Sequence, residues 1–129
     1  MTDDTQPAGR LDEIAEREFI SLTTFKRDGR GVATPVWFVL DGGRVYFRSP
    51  VRTGKVKRIR ANPAVSFFAS DDRGLRVGPS LRGTARLAPE SRARVAGLLN
   101  AKYGLYGRLF ALSLTVRLGR QTIVEILPG

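Results

Sequence analysis

Hydrophobic residues in this chain alternate with polar ones over short segments, which are separated by turns rich in glycine and aspartate. Alternation at every second position is typical of β-strands that bury one face. The pattern predicts six strands, at residues 19–25, 32–40, 44–49, 64–70, 81–87 and 121–127. Residues 41–43 form a tight turn, so the second and third strands are expected to make an antiparallel hairpin. Pro35 lacks an N–H donor and marks an edge or a bulge in the second strand.

Apolar residues spaced three and four positions apart predict the helices. The pattern predicts helices at residues 11–17, 90–103 and 106–114, and a short one between Thr53 and Asn62. The helix predicted at residues 90–103 has one apolar stripe, made of Val95, Leu98, Leu99 and Tyr103. Many short strands with tight turns and few helices favour a mainly β fold, a small antiparallel barrel.

Chain length and the distribution of polar residues predict one domain. A chain of 129 residues suffices for a single modest core. The polar, acidic residues 1–10 are expected to be a disordered leader, and residues 11–129 the folded domain. No apolar run approaches the roughly 20 residues that span a bilayer, and the leader lacks the features of a secretory signal. We therefore expect a cytoplasmic protein that does not span a membrane.

Two residue types are missing altogether. Without cysteine the chain has no disulfide, thiolate nucleophile or zinc–cysteine site. Without histidine it lacks the usual general base, a Ser-His-Asp triad and the commonest metal ligand. No metal site and no catalytic side chain are predicted, so an enzyme of this sequence would take its chemistry from a cofactor.

Basic residues outnumber acidic ones by 22 to 12, giving a formal charge of +10. No acidic residue lies between Asp41 and Asp71, whereas that interval holds Arg44, Arg48, Arg52, Lys55, Lys57, Arg58 and Arg60. A basic region of this kind indicates an anionic partner: nucleic acid, an acidic membrane surface or a phosphorylated small molecule.

Lys55 occupies an unfavourable position in the predicted short helix. Thr53 is a good N-cap, so Lys55 lies in the first turn, beside the positive end of the helix dipole. Free backbone N–H groups, a capping hydroxyl and a lysine together make a phosphate site. The alternative is that the cations of this helix form only a solvated surface.

The order of elements and four short motifs resemble the split-barrel flavin-binding family typified by pyridoxamine 5′-phosphate oxidase. The motifs are Thr34-Pro35-Val36-Trp37, Phe47-Arg48-Ser49, Thr53-Gly54-Lys55 and Asn62-Pro63. Within that family the chain is most similar to small members that use coenzyme F420, a deazaflavin with a phosphodiester and an oligoglutamate tail. The resemblance covers about residues 19–128 and implies an FMN-binding split-barrel type of fold.

The resemblance also implies a set of cofactor-binding residues. In the family, a hydroxyl or arginine followed two positions later by lysine, seven before Asn/Asp-Pro, holds the cofactor phosphate. Gly54 stands where flavin-using oxidases usually carry arginine, which makes FMN the less favoured cofactor. The implied contacts are Thr53, Gly54, Lys55 and Arg58 near the phosphate, Arg48 and Ser49 near the polar middle, and Thr34, Pro35, Val36 and Trp37 along the ring. For Val36 and Trp37, ordinary core packing is the alternative.

The implied function is that of an F420-dependent oxidoreductase, a reductase that transfers hydride between deazaflavin C5 and a small unsaturated acceptor. Family members are homodimers with the cofactor at the subunit interface, so a homodimer is expected. Alternatives are an FMN-binding oxidoreductase, a non-catalytic F420 carrier or, less favoured, a nucleic-acid-binding barrel that stacks bases on Tyr46, Phe67 or Phe68. The absence of histidine argues against ordinary haem ligation.

Overall fold

The computed structural model describes residues 5–6, 8–71 and 73–129. Seven antiparallel strands form one curled sheet in the order β3-β2-β6-β7-β8-β5-β4, and the short β1 pairs in parallel with β7. The strands are β1 (Thr5–Gln6), β2 (Phe19–Phe25), β3 (Gly31–Trp37), β4 (Val39–Asp41), β5 (Arg44–Pro50), β6 (Ala64–Ser70), β7 (Ser80–Leu87) and β8 (Gln121–Pro128). The helices are α1 (Gly54–Ala61) and α2 (Arg92–Leu118), and two short 3-10 segments cover Ala8–Ile14 and Pro89–Ser91.

The sheet curls around a hydrophobic core because its alternating residues direct large apolar side chains to one side. Phe38, Phe47 and Phe67 are fully buried there. Burial of a large apolar side chain contributes about 1.5–3 kcal/mol, so these three alone are a substantial part of the driving force. The two edge strands, β3 and β4, are consecutive in the chain, so the sheet's edges meet at Phe38. The mainly β split-barrel prediction is therefore confirmed.

The single strand predicted for residues 32–40 is wrong, because the chain breaks at Phe38. Residues 31–37 pair with β2, and only residues 39–41 pair with β5. The peptide groups of Phe38 bond instead to side chains of α2: Tyr103 Oη accepts from the N–H at 3.0 Å, and Lys102 Nζ donates to the carbonyl at 3.0 Å. Side chains 64 or more positions away thus satisfy the backbone groups that a continuous strand would have paired.

A second apolar cluster lies outside the barrel, between the sheet and the first half of α2. Val95 and Leu99 pack there with Ile123 and Tyr46. The alternation in β5 predicts an outward Tyr46, but α2 covers that face and leaves the side chain 4% exposed. Its hydroxyl donates to Glu125 at 2.8 Å. The apolar stripe predicted on residues 90–103 is confirmed, because its residues are the ones that pack in this cluster.

The helical segments differ from their predictions at both ends of the domain. Residues 8–14 form a 3-10 helix where an α-helix was expected at 11–17. The two helices predicted at 90–103 and 106–114 form a single element, α2, broken by non-helical backbone at Gly104 and continuing to Leu118. The disordered leader predicted for residues 1–10 falls partly on residues 1–4 and 7, which lie outside the described residues, so it stays a prediction.

Candidate functional site

An open cleft of about 440 Å³ lies where the start of α1, the ends of β3 and β5, and the second half of α2 meet. This volume is within the range of about 300–1,000 Å³ that is usual for small-molecule sites. No acidic side chain lines the cleft among the described residues. Its walls combine aromatic rings from α2 and β3 with hydroxyls and cations from β5 and α1. The cleft is therefore suited to a flat anionic ligand.

Trp37 is the centre of the aromatic wall. Its ring stacks on Tyr103 with centroids 4.5 Å apart and planes 10° apart. Phe110 and Tyr106 lie at 5.0 and 5.9 Å in tilted arrangements. Aromatic pairs in this geometry are worth about 0.5–1.5 kcal/mol beyond the area they bury. The stack therefore attaches the second half of α2 to the end of β3.

Tyr103 and its neighbour Lys102 support this wall from behind. Burial raises the pKa of Tyr103 to about 12, although the hydrogen bond with Phe38 acts in the opposite direction. Burial lowers the pKa of Lys102 to about 8, and the carboxylates of Glu16 and Glu18 partly oppose that shift. Both side chains make hydrogen bonds with the backbone of Phe38 and so support the strand end that carries Trp37.

The polar end of the cleft is built at the start of α1. Thr53 caps the helix: its hydroxyl accepts from the N–H of Val56 at 3.4 Å and lies 3.0 Å from the Ser49 hydroxyl. Lys55 follows in the first turn and is half-buried on the cleft wall. Burial first, and then repulsion from Arg58, lower the pKa of Lys55. No described residue forms an ion pair with it, so within that part of the chain its charge has no counter-ion.

Arg58 and Gly54 make a close pair beside this helix start. Arg58 Nε donates to the buried Thr24 hydroxyl at 2.7 Å, which turns the guanidinium across the helix. A Cβ at position 54 would lie 2.7 Å from Arg58 Nη1. Glycine at 54 therefore makes room for the guanidinium of residue 58 next to Lys55.

The structure brings most of the sequence-predicted site residues together. Those that line the cleft are Pro35, Val36, Trp37, Arg48, Ser49, Thr53 and Lys55. Thr34, Gly54 and Arg58 are not on its wall. Thr34 lies on β3 opposite Leu22, and the other two lie beside the helix start described above.

Sequence reasoning missed the wall contributed by α2 and by the start of β8. The additional lining residues include Phe19, Leu99, Tyr103, Tyr106, Phe110 and Gln121. A signal was present for Tyr106 and Phe110, which are four positions apart and so share a helix face. Nothing in the sequence indicated that this face would meet Trp37, because that contact depends on the break at Gly104.

The structure does not favour the base-stacking surface that was considered as an alternative. Tyr46 and Phe67 are buried, and Phe68 is half-buried with the Arg76 guanidinium 5.7 Å from its ring centre. Rings that stack nucleic-acid bases must be open to solvent in the free protein. The exposed aromatic rings lie instead on α2, where Tyr106 and Phe110 border the cleft.

None of the helices in the described part of the chain combines the length and the apolar character needed to cross a bilayer. No three histidine, cysteine or acidic side chains come together there as ligands for a metal ion.

Comparison with known proteins gives a family match over nearly the whole chain. Residues 10–126 match the family described as pyridoxamine 5′-phosphate oxidase. No curated protein sequence matches the chain.

Solved structures share the fold at low sequence identity. A protein described as an F420 reductase is 21% identical, with 92% of each chain covered and a TM-score of 0.64. The heme storage protein HutZ from Vibrio cholerae is 15% identical over 94% of this chain and 89% of its own, with a TM-score of 0.70. An FAD-binding protein from Mesorhizobium loti is 16% identical over 95% and 88%, with a TM-score of 0.64. These similarities show a common fold.

Proposed function

The chain belongs to the pyridoxamine 5′-phosphate oxidase family, and from that premise we propose that it is an F420-dependent reductase acting on a small unsaturated acceptor. Solved structures with this fold are described as an F420 reductase, an FAD-binding protein and a heme storage protein, so the fold admits a flavin-type cofactor but does not select one. The choice of F420 rests on the motifs in residues 34–63 and on the chemistry of the cleft.

The observation that carries the proposal is the half-buried Lys55 beside Thr53 at the start of α1. Keeping an unpaired cation there costs free energy through burial and through the positive end of the helix dipole. A phosphate group offsets both costs, because it takes hydrogen bonds from the helix N–H groups and neutralises the ammonium. Arg58, held by Thr24, adds a second positive charge next to the same helix start.

The remaining residues of the cleft suit a flat, partly polar ring. Pro35, Val36 and Trp37 supply an edge of backbone and apolar side chain, and Arg48 and Ser49 line the same cleft as Lys55. When bound, the reduced deazaflavin supplies hydride from its C5 atom. The protein binds and orients the cofactor, and the aromatic residues of α2 form one wall of its site. Hydride transfer needs no acid or base from the chain, and the acceptor takes its proton from water.

A second copy of the chain is part of this proposal. The second half of α2 exposes a row of large apolar side chains, Leu105, Tyr106, Leu109, Phe110, Leu112, Val116 and Leu118. Three of them, Tyr106, Phe110 and Leu118, also line the cleft, so a partner covering this row would close the cleft and bury part of the cofactor. Analytical ultracentrifugation tests this directly: a dimer is expected, and a monomer at tens of micromolar would contradict it.

Equilibrium binding to F420 and FMN tests the cofactor. We expect micromolar or tighter binding of F420, weakened at least about tenfold by Lys55→Ala, which corresponds to about 1.4 kcal/mol. Lys57→Ala is the matched control, because Lys57 is exposed on the same helix and carries the same charge. Tighter binding of FMN would contradict the F420 assignment. Equal effects of the two substitutions would contradict the phosphate site.

Turnover separates a reductase from a carrier. The reduced cofactor is mixed with quinones, unsaturated lactones, tetrapyrroles or nitro compounds, and its reoxidation is followed by fluorescence. A reductase accelerates reoxidation by at least one acceptor, and the acceleration saturates with acceptor concentration. Tight binding without acceleration by any of these classes would identify a carrier. A cytoplasmic location remains a prediction from the sequence.

A further inference from the structure

Three arginines from separate segments line a second recess of about 220 Å³, which adjoins the cleft and shares Arg48 and Gln121 with it. The other two are Arg92, at the first position of α2, and Arg108, beyond Gly104. Asn100 and Thr115 complete the polar lining, and Gln121 Nε2 donates to the Thr115 hydroxyl at 2.6 Å. No acidic residue lines the recess among the described residues.

The break at Gly104 is what brings these arginines together. On a straight helix, positions 92 and 108 would be about 24 Å apart along the axis, too far to line one small recess. The backbone at Gly104 has φ 69° and ψ −157°, which breaks the helix and lets Arg108 of its second half line the same recess as Arg48 of the sheet. The recess is thus a product of the tertiary fold and is not a charged face of a regular helix.

No described acidic residue compensates the positive charge in the recess. In the described part of the chain, none of the three arginines makes an ion pair. Arg48 is half-buried, and its pKa is lowered by burial first and then by repulsion from Arg92. Arg92 adds to the cost because it stands at the positive end of α2, whose first turn carries no acid. A bound anion would reduce the repulsion between Arg48 and Arg92 and the unfavourable interaction of Arg92 with the helix dipole.

We propose that Arg48, Arg92 and Arg108 form a carboxylate-binding subsite for a ligand whose ring lies in the adjoining cleft. Planar guanidinium groups match a planar carboxylate through paired hydrogen bonds, and the amides of Asn100 and Gln121 suit the same group. The Lys55 end differs, because a helix start and a hydroxyl suit a tetrahedral phosphate. The subsite's part in a redox reaction rests on the proposed function, whereas carboxylate binding itself does not.

The first experiment compares two ligands of nearly equal shape, naphthalene-2-carboxylate and naphthalene-2-carboxamide, by isothermal titration calorimetry. We expect the protein to bind the carboxylate at least about tenfold more tightly, because charge-assisted hydrogen bonds from arginine to a carboxylate are stronger than those to a neutral amide. Arg92→Gln/Arg108→Gln should abolish this preference. The matched control is Arg52→Gln/Arg60→Gln, which removes the same charge from two exposed arginines outside the cleft and the recess.

Two results would overturn the subsite: equal binding of the two ligands by the unaltered protein, or an equal loss of preference in the control. Circular dichroism checks that all variants are folded. This experiment uses no cofactor, so its failure is distinguishable from a failure to bind F420.

The second experiment identifies the source of the carboxylate. If the cofactor's glutamate tail occupies the recess, Arg92→Gln/Arg108→Gln weakens F420 with a long tail more than F420 with a short one. If the acceptor occupies it, cofactor affinity is unchanged, and KM rises for carboxylate-bearing acceptors but not for neutral ones. If neither change is seen, the subsite's part in the redox reaction is overturned.

Discussion

The two halves of α2, on either side of Gly104, have similar apolar content but contrasting surroundings. In the first half, Val95 is fully buried and Leu99 is 4% exposed against the sheet. In the second half, Leu109 is 57% and Val116 is 78% exposed. The first half therefore contributes to the stability of one chain. The apolar surface of the second half is exposed in the single chain, and this half also contributes to the aromatic wall of the cleft.

This contrast shows how an apolar helix face can serve either folding or recognition. A helix face that its own chain covers stabilises the monomer, whereas an exposed face of this size marks an interaction site. Gly104 separates the two functions, since the helix breaks there and the second half lies outside the apolar cluster that the first half makes with the sheet. Five substitutions, in four experiments of decreasing expected effect, test the division.

Val116→Glu tests whether the second half of α2 is an interface. A carboxylate in an apolar contact without a partner should weaken dimerisation by about 4 kcal/mol, roughly a thousandfold, with no loss of helical circular dichroism. Sedimentation velocity measures the association. Lys57→Glu, at an exposed position of α1, is the control and should leave the association unchanged. A Val116→Glu dimer of unaltered affinity would place any interface elsewhere.

Leu99→Ala and Leu109→Ala form a matched pair, one in each half. Leu99→Ala should lower the free energy of unfolding by about 3 kcal/mol, because it removes buried methyl groups and leaves a cavity. Leu109→Ala should lower it by less than about 0.5 kcal/mol when measured on dilute monomer. Urea denaturation followed by circular dichroism gives both values. Similar losses in the two variants would contradict the division of α2.

Gly104→Ala tests the break itself. A Cβ at this position meets no atom within 4 Å, so the cost comes from the backbone, whose φ of 69° is strained for alanine. We expect a loss of about 1–2 kcal/mol, or a straighter α2 that moves Tyr106 and Phe110 away from Trp37. Thermal unfolding measures the first, and Trp37 fluorescence the second. Gly97→Ala, in open space within the first half, is the control and should not reduce stability.

Lys102 gives the first half of α2 a pH dependence. Its pKa is lowered to about 8 by burial, from 10.5. A lysine whose pKa is lower in the folded state binds its proton more weakly there, so folding becomes more favourable as pH rises between about 8 and 10.5. Relative to Lys102→Met, the unaltered protein should gain about 1 kcal/mol between pH 7.5 and 9.5, allowing for solvent screening of the half-buried amine. Urea denaturation at both pH values measures this gain, and a constant difference would contradict it.

A buried carboxylate outside α2 offers an acid-side comparison. Burial of Glu125 acts to raise its pKa, but hydrogen bonds from Tyr46, Arg86 and Arg44 outweigh that effect and hold the pKa below its usual value. The stabilisation is therefore present above the unfolded-state pKa and is lost as pH falls through the lower, folded-state value. The stability that Glu125 contributes is therefore lost at acidic pH, whereas the change expected for Lys102 occurs at alkaline pH.

Much of the fold could be predicted from local patterns. The alternation in residues 19–25, 44–49, 64–70 and 81–87 matched β2, β5, β6 and β7 closely, since each of these strands has one strongly apolar face. Thr53 and Asn62 were correct as the two ends of α1, because capping depends on adjacent residues. Seven of the ten predicted site residues line one cleft, which follows from placing the helix start next to the ends of two strands. Their role in cofactor binding is still a prediction.

The break at Phe38 and the burial of Tyr46 were beyond local patterns. Phe38 continues an apolar run, and only Tyr103 and Lys102, which bond to its peptide groups, explain why the strand stops there. Tyr46 lies on the polar side of β5 by alternation, but α2 covers that side too. The sequence by itself determined the strands, the helix caps and the cation at the start of α1, because these depend on neighbouring residues. The tertiary structure decided the break, the aromatic wall and the grouping of Arg48, Arg92 and Arg108, because each depends on contacts between segments distant in the chain.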